Sequence, residues 1–213
     1  MSGPDPASGP RRRAAALAGH TGDAARAREL LGDPEPAVRA SALGALARLG
    51  LLDEETLGRA FADAEAVVRI RAAELSPAIG TAALGPLVEL LGDKSAAVVE
   101  AACFGLGEIG EEARDRGGVA ARLSEVAARH PDPLCREAAV AAAGAIGDPG
   151  ALPAVLAATA DKPAVRRRAV LALAAFEGPE VDAALERALS DRDWQVRQAA
   201  EDLTGQRPGP PTS

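Results

Sequence analysis

A thirty-residue recurrence constrains this chain more than any other feature. Asp33-Pro34-Glu35-Pro36-Ala37-Val38-Arg39 opens a stretch that closes on Leu49-Gly50. Asp63, Val68-Arg69 and Ile79-Gly80 repeat it thirty residues on, and Asp93, Val98-Val99 and Ile109-Gly110 thirty after that. Self-similarity at such a period marks stacked copies of one supersecondary unit, none of which can bury its apolar face alone. Six copies align with Val38, Val68, Val98, Cys135, Val165 and Val196 as position 0. Position +4 is then Ala42, Ala72, Ala102, Ala139, Ala169 and Ala200, and position +11 is Leu49, Ile79, Ile109, Ile146 and Phe176. Gly50, Gly80, Gly110 and Gly147 follow at +12. Positions 0, +4, +7, +8 and +11 lie on one side of a 3.6-residue helix, so each copy holds an amphipathic helix of about four turns. The glycine is its stop, able to take positive φ.

A shorter helix (A) precedes each of these (B). The A helices are expected at about 23–31, 53–62, 81–91, 119–129, 151–160 and 180–189. The A-to-B turns carry Asp33-Pro34, Asp63, Asp93, Pro131-Asp132-Pro133, Asp161-Lys162-Pro163 and Asp191. Pro suits a helix's first turn, where its missing N–H costs nothing, and Asp can accept orphan amide hydrogens there. The expected fold is therefore all-α, an α-solenoid of about six two-helix repeats.

The irregularities are specific. Arg11–Gly22 aligns with Arg136–Gly147, which predicts an N-terminal half-repeat holding only a B helix and serving as a cap. The third and fourth repeats are 37 residues apart, with the surplus near 111–118. Ser76-Pro77 should shorten or kink the second B helix. A disordered arm is expected at 1–10, one repeat domain at 11–205 and a disordered Pro/Gly-rich tail at 206–213.

Composition narrows the function. Apolar residues make up 47% but aromatics only 2%, and much of the apolar content is alanine, so helices must approach closely through small side chains. All but Lys94 and Lys162 of the 24 basic residues are arginine, a bias expected of a GC-rich bacterial genome. A net charge of −7 disfavours nucleic acid, whose binding rests on neutralising many phosphates. Cys103 and Cys135 fall inside helical patterns without metal-ligand spacing and read as reduced core thiols. No apolar run is long enough to cross a membrane, and residues 1–10 lack a signal peptide's basic start and apolar core, so a cytoplasmic location is expected.

The pattern Asp-x-x-x-x-Val-Arg-x-x-Ala followed by Leu-Gly or Ile-Gly resembles the HEAT repeat. It is most similar to the short bacterial-type HEAT-like repeats also found in phycobilisome lyase subunits, and the resemblance covers residues 23 to about 205. It implies a non-catalytic scaffold or adaptor that binds protein on the concave face lined by B helices. The alternative it implies is an enzyme or enzyme subunit of the bilin-lyase-like kind, or a chaperone-like factor for a cofactor-bearing protein. It also implies that Asp33, Arg39, Asp63, Arg69, Asp161, Arg166, Asp191 and Arg197 form a structural ladder between repeats. Val99 interrupts that ladder, and His130 stands where the fourth repeat should have Asp.

No residue is assigned to catalysis, a cofactor or a metal. HEAT-like enzymes of the deoxyhypusine hydroxylase type hold iron through repeated His-Glu pairs, whereas this chain has only His20 and His130, neither followed by Glu. Trp194 reads as a hydrophobic cap on the last B helix. Arg11-Arg12-Arg13 and Arg166-Arg167-Arg168 carry too little charge for specificity. Phosphate-loop, dinucleotide and nucleophile-elbow motifs are absent.

The residues the repeat leaves unconstrained are at +2, +6 and +9, away from the core. Ala40, Gly44 and Ala47 show how small many of them are. Ile70, Glu74, Glu100, Phe104, Glu137, Arg167 and Leu171 are the candidate protein-binding strip. Small residues there fit a shallow groove, or else they let neighbouring B helices crowd together. Ile70, Phe104 and Leu171 would anchor a helix or extended segment, and the glutamates favour a partner of basic character.

Overall fold

A computed structural model describes residues 8–116 and 118–206, and among them it shows helices, turns and no strand. The expected arm lies outside the described residues except for Ser8–Pro10, which open the first helix. The expected tail lies outside them except for Gln206, which closes the last. Two compact units meet in sequence at Gly105 and Leu106.

The first unit begins with α1 (Ser8–Thr21), the half-repeat's lone B helix. Pairs α2 (Ala24–Leu30) and α3 (Pro36–Arg48), α4 (Glu54–Phe61) and α5 (Ala66–Leu75) follow, then α6 (Leu84–Leu90) and the start of α7 (Ala96–Ile109). The second unit takes the end of α7, then α8 (Val119–Arg129) and α9 (Pro133–Ile146), α10 (Leu152–Ala158) and α11 (Pro163–Ala172), and α12 (Pro179–Ala188) and α13 (Trp194–Gln206). A–B alternation thus follows the sequence repeat, giving the armadillo/HEAT type of helical solenoid.

Local chemistry sets the helix ends. Asp53 caps α4 by accepting the Thr56 amide, and Asp132 caps α9 by accepting that of Leu134. Pro36, Pro133, Pro163 and Pro179 occupy first-turn positions. Gly50 and Gly147 take φ of +67° and +66°, the left-handed stop expected at +12. Ser76-Pro77 ends α5 after ten residues and passes the chain into a 3₁₀ stretch, Ser76–Ala83. Ile79 is half-buried, as is Leu49 at the same position, whereas Ile109 and Ile146 are core. Within the surplus at 111–118, the residues 111–116 form neither an extension of α7 nor a detached loop. A 3₁₀ turn, Gly110–Ala113, leads to Arg114, which donates to the Ile146 carbonyl, and to Asp115, whose amide donates to Asp148.

Alanine, valine and leucine dominate the core of each unit. Position 0 and the Ala at +4 are buried in every repeat. Ala15, Leu30, Val38 and Ala42 form one cluster, and Ala18, Ala27, Ala45 and Leu46 another. At these two clusters alanine does the work aromatics do elsewhere, because helix backbones that approach closely need no bulk to fill the gap.

Candidate interaction surface

Two sets of side chains stand out on this scaffold: the arginine ladder and the outer face of the B helices. The ladder is built by an arginine at +1 of each B helix except α7, where Val99 stands instead. Arg39 donates Nε and Nη2 to both oxygens of Asp63, at 2.9 and 2.7 Å, while its Nη1 donates to the main-chain carbonyl of Asp33 at 2.9 Å. Arg69 does the same to Asp93 and to the Asp63 carbonyl, and Arg166 to Asp191 and the Asp161 carbonyl. Each aspartate then orders its own turn: Asp33, Asp63, Asp93 and Asp191 accept the amide two residues on. One guanidinium thus ties its own A-to-B turn to that of the following repeat, with the bidentate geometry that makes Arg–carboxylate pairs directional.

All of the expected ladder residues but Arg197 take part in these contacts between repeats, and the Asp and Arg of one repeat do not pair through their side chains. Arg197 shows this most plainly. It reaches the Asp191 carbonyl and pairs with no carboxylate among the described residues. Three members were overlooked. Arg11 of the half-repeat pairs with Asp33, Asp93 completes the Arg69 rung, and Arg136 pairs with Asp161. Arg11 and Arg136 stand at +1 in the alignment, so the signal was present. At His130 the ring nitrogen Nδ1 accepts the Asp132 amide at 3.1 Å and the carbonyl accepts from Arg136, so imidazole replaces carboxylate in the turn.

The ladder sets the acid response. The Arg11 hydrogen bonds hold the Asp33 carboxyl below the usual range, as Arg136 and Arg166 do for Asp161 and Asp191. Burial opposes ionisation at Asp63 and Asp93, but the Arg39 and Arg69 forks and the Glu65 and Ser95 amides outweigh it, so these too are lowered. Lowered folded values mean that the unfolded chain binds more protons in acid. The stabilisation is complete above the unfolded carboxylate value and is lost as pH falls through the folded ones. Melting temperature should stay level from pH 7 to about 5 and fall steeply below about 4. A melt at pH 3 matching that at pH 7 would contradict the ladder's role.

On the outer face the expected strip divides unequally. Phe104 is 54% exposed, and Glu100 beside it is exposed with no ion-pair partner among the described residues. Ile70 is half-buried, and so is Leu171, which shares a cleft of about 200 Å³ with Arg167 and Trp194. Glu74 pairs with Arg71 at 2.8 Å and Glu137 with Arg168 at 3.5 Å, so two of the three glutamates are already neutralised. Arg167 is exposed.

Some of the small residues prove to be packing residues. A Cβ on Gly144 would lie 2.8 Å from the Ala172 Cα, and one on Gly107 would lie 3.4 Å from the Ala142 Cα. Crowding between B helices, the second of the two expectations, explains position +9 there.

Three face residues were missed: Val67 (45% exposed), Leu134 (57%) and Trp194 (64%). Val67 and Leu134 stand at −1, seven residues before +6, which is nearly two helical turns and so the same face. Trp194, expected as a cap, is the first residue of α13 and projects beside Leu171. Among the described residues no three His, Cys, Asp or Glu converge as metal ligands, and no helix is long and apolar enough to cross a membrane.

Comparison with known protein families matches residues 119–203 to HEAT repeats and residues 83–113 to a HEAT repeat. No curated protein matches the chain. Among solved structures, Escherichia coli YibA is similar at 19% identity and a TM-score of 0.64, over 95% of this chain and 76% of that one. An engineered protein is similar at 20% identity and TM-score 0.63, over 86% and 97%. A designed armadillo repeat protein in complex with the peptide (KR)4 is similar at 20% identity and TM-score 0.51, over 90% and 84%. At these identities the likeness is one of fold.

Proposed function

As the chain belongs to the HEAT-repeat proteins, we propose that it is a non-catalytic protein-binding scaffold whose B-helix face takes a helix or extended segment of basic character. The observation that supports this is where the exposed apolar side chains fall. Seven large ones are exposed among the described residues, and five of them, Leu17, Val67, Phe104, Leu134 and Trp194, lie on the B helices α1, α5, α7, α9 and α13. A face that only met water would carry long polar residues there. In the first unit Phe104 supplies the anchor and Glu100, one turn before it on α7, supplies an unpaired charge. Large aromatic anchors are common among the few residues that carry most of a binding energy.

The designed armadillo relative was solved with a peptide of alternating Lys and Arg, which makes (KR)4 a fitting probe. Fluorescence anisotropy of labelled (KR)4 should report binding that Glu100→Lys weakens by about tenfold and Phe104→Ala by about fivefold, each in the range of one lost charge pair or anchor. Glu54→Lys, an equal charge change on the A helix α4, should leave it unaltered. Equal losses for Glu54→Lys and Glu100→Lys would reduce the binding to the net charge of −7 and end the proposal.

A further inference from the structure

The opposite end of the same face in the first unit has the opposite charge. A cleft of about 400 Å³ opens over α1, α3 and α5, and its lining includes Arg12, Arg48 and Arg71 with Val67, Ser41 and Gly44. These arginines come from three successive B helices, at +2, +10 and +3. Two of them are seated by glycine. The Arg71 Nη2 lies 2.8 Å from where a Cβ of Gly44 would be, and the Arg48 Nη1 lies 2.9 Å from where a Cβ of Gly19 would be. Each guanidinium therefore lies over the bare backbone of the preceding B helix, in space that a methyl there would take. Arg12 and Arg48 have no carboxylate partner among the described residues, and Arg71 has only Glu74, an exposed i,i+3 pairing of the kind that is worth little. Neither Arg12 nor Arg48 belongs to the ladder.

We infer that this cleft is a second subsite of the binding face and takes an acidic peptide segment, with carboxylates on the Arg12, Arg48 and Arg71 forks and an apolar side chain against Val67. Charge complementarity selects the occupant. A chain of net charge −7 repels polyanions in general, so an anion that binds must do so through a local, preorganised cluster. Planar guanidinium forks match carboxylates bidentately. The cleft lining holds no aromatic ring on which a base could stack, and three cations are few for a nucleic-acid backbone. The inference rests on the B-helix face being a peptide-docking face. It fails separately from the (KR)4 reading, because that probe reports on Glu100 and Phe104 and not on these arginines.

The test is anisotropy at low salt with a labelled Glu-Glu-Leu-Glu-Glu-Leu-Glu-Glu peptide and the full chain. Combined Arg48→Glu and Arg71→Glu should weaken binding by about tenfold or more, and Glu74→Ala, which releases Arg71, should strengthen it by about two- to threefold. Gly44→Ala is the sharper variant, because it changes no charge and improves helix propensity, yet its Cβ takes the space on which Arg71 rests. It should weaken the peptide about threefold while leaving the melting temperature level or higher. Arg59→Glu on α4 is the charge control and should have no effect. Absence of binding by the unaltered chain, indifference to the Arg48, Arg71 and Gly44 changes, or tighter binding of an eight-nucleotide single strand than of the peptide would each overturn the assignment.

Discussion

Asp93→Ala should lower the unfolding free energy by about 3 kcal/mol, which for a chain of this size is a fall of roughly 6–12 °C in melting temperature. The Arg69–Asp93 rung is the rung to test because its side chains are only 8% and 10% exposed. Removing the carboxylate does three things at once. It leaves a guanidinium held in the turn by the Asp63 and Ala64 carbonyls without a counter-charge, it breaks two charge-assisted hydrogen bonds, and it unties the Ser95 amide. An exposed pair on the same unit gives the contrast. Glu55 and Arg59, 3.4 Å apart and open to water, should cost under about 0.5 kcal/mol when broken by Glu55→Ala. A cycle with Arg69→Ala should return a coupling of about 2 kcal/mol, because the double variant no longer buries an unpaired charge. Urea unfolding monitored by circular dichroism measures all four forms. If Asp93→Ala and Glu55→Ala cost the same, the ladder is surface decoration.

The cycle also separates two meanings of a structural ladder. A buried pair replaced by apolar residues often costs little, so the rung's net worth is smaller than the single-variant loss. Its more specific contribution is geometric. The same guanidinium engages the turn of its own repeat and the turn of the following one, so adjacent repeats within a unit can be stacked in one register only.

The repeat and its irregularities were legible because each rests on local chemistry. The Ala at +4, the glycine stop, the Ser76-Pro77 break and the half-repeat at Arg11 all follow from what one turn of backbone will accept. The resemblance implied a ladder between repeats, but the partner of each arginine was not legible from the residues themselves, and the reason is arithmetical. In a thirty-residue repeat, an Asp and the Arg six residues later recur as regularly as that Arg and the Asp 24 residues later still, as in Asp33, Arg39 and Asp63. One alignment contains both spacings and cannot choose between them. Distance chooses, and it gives the carboxylate to the following repeat and only the main-chain carbonyl to its own. The outer face was legible only in part for a different reason. Counting outward from position 0 toward the C-terminus finds Phe104 at +6 but stops short of −1, where Val67 and Leu134 each share a face with position +6 of their own helix. Charge was legible only in part, because the i,i+3 spacing of Arg71 and Glu74 can be read in one dimension and the pairing of Arg168 with Glu137 cannot. Glu74 and Glu137 look acidic in the strip until Arg71 and Arg168 are placed beside them.

Small residues on that face were ambiguous for the same reason, and substitution of glycine by alanine should resolve them by sign. In a helix interior that change ordinarily stabilises by roughly 0.5–1 kcal/mol, since glycine loses more backbone entropy on folding. Gly58, exposed on α4 with nothing within 4 Å of where its methyl would stand, should show that gain. Gly144 should show the reverse. Its methyl would stand 2.7 Å from the Ala172 Cβ and 2.8 Å from the Ala172 Cα, and a backbone atom cannot swing aside as a side-chain end can. Overpacking of this kind costs about 1–3 kcal/mol before the propensity gain is subtracted, and Gly144→Val, which adds two more carbons and β-branching, should cost about 3 kcal/mol or more. Gly105 should behave like Gly144, because its methyl would meet the Ala73 carbonyl and the Ser76 hydroxyl, both at 2.7 Å. Chemical unfolding of the four variants separates the causes: a rise for Gly58→Ala with falls for Gly144→Ala and Gly105→Ala, deepening for Gly144→Val, assigns those two glycines to close helix packing. Parallel rises at all three alanine sites would mean that α9 and α11 stand far enough apart to admit a ligand, and would return position +9 to the binding face.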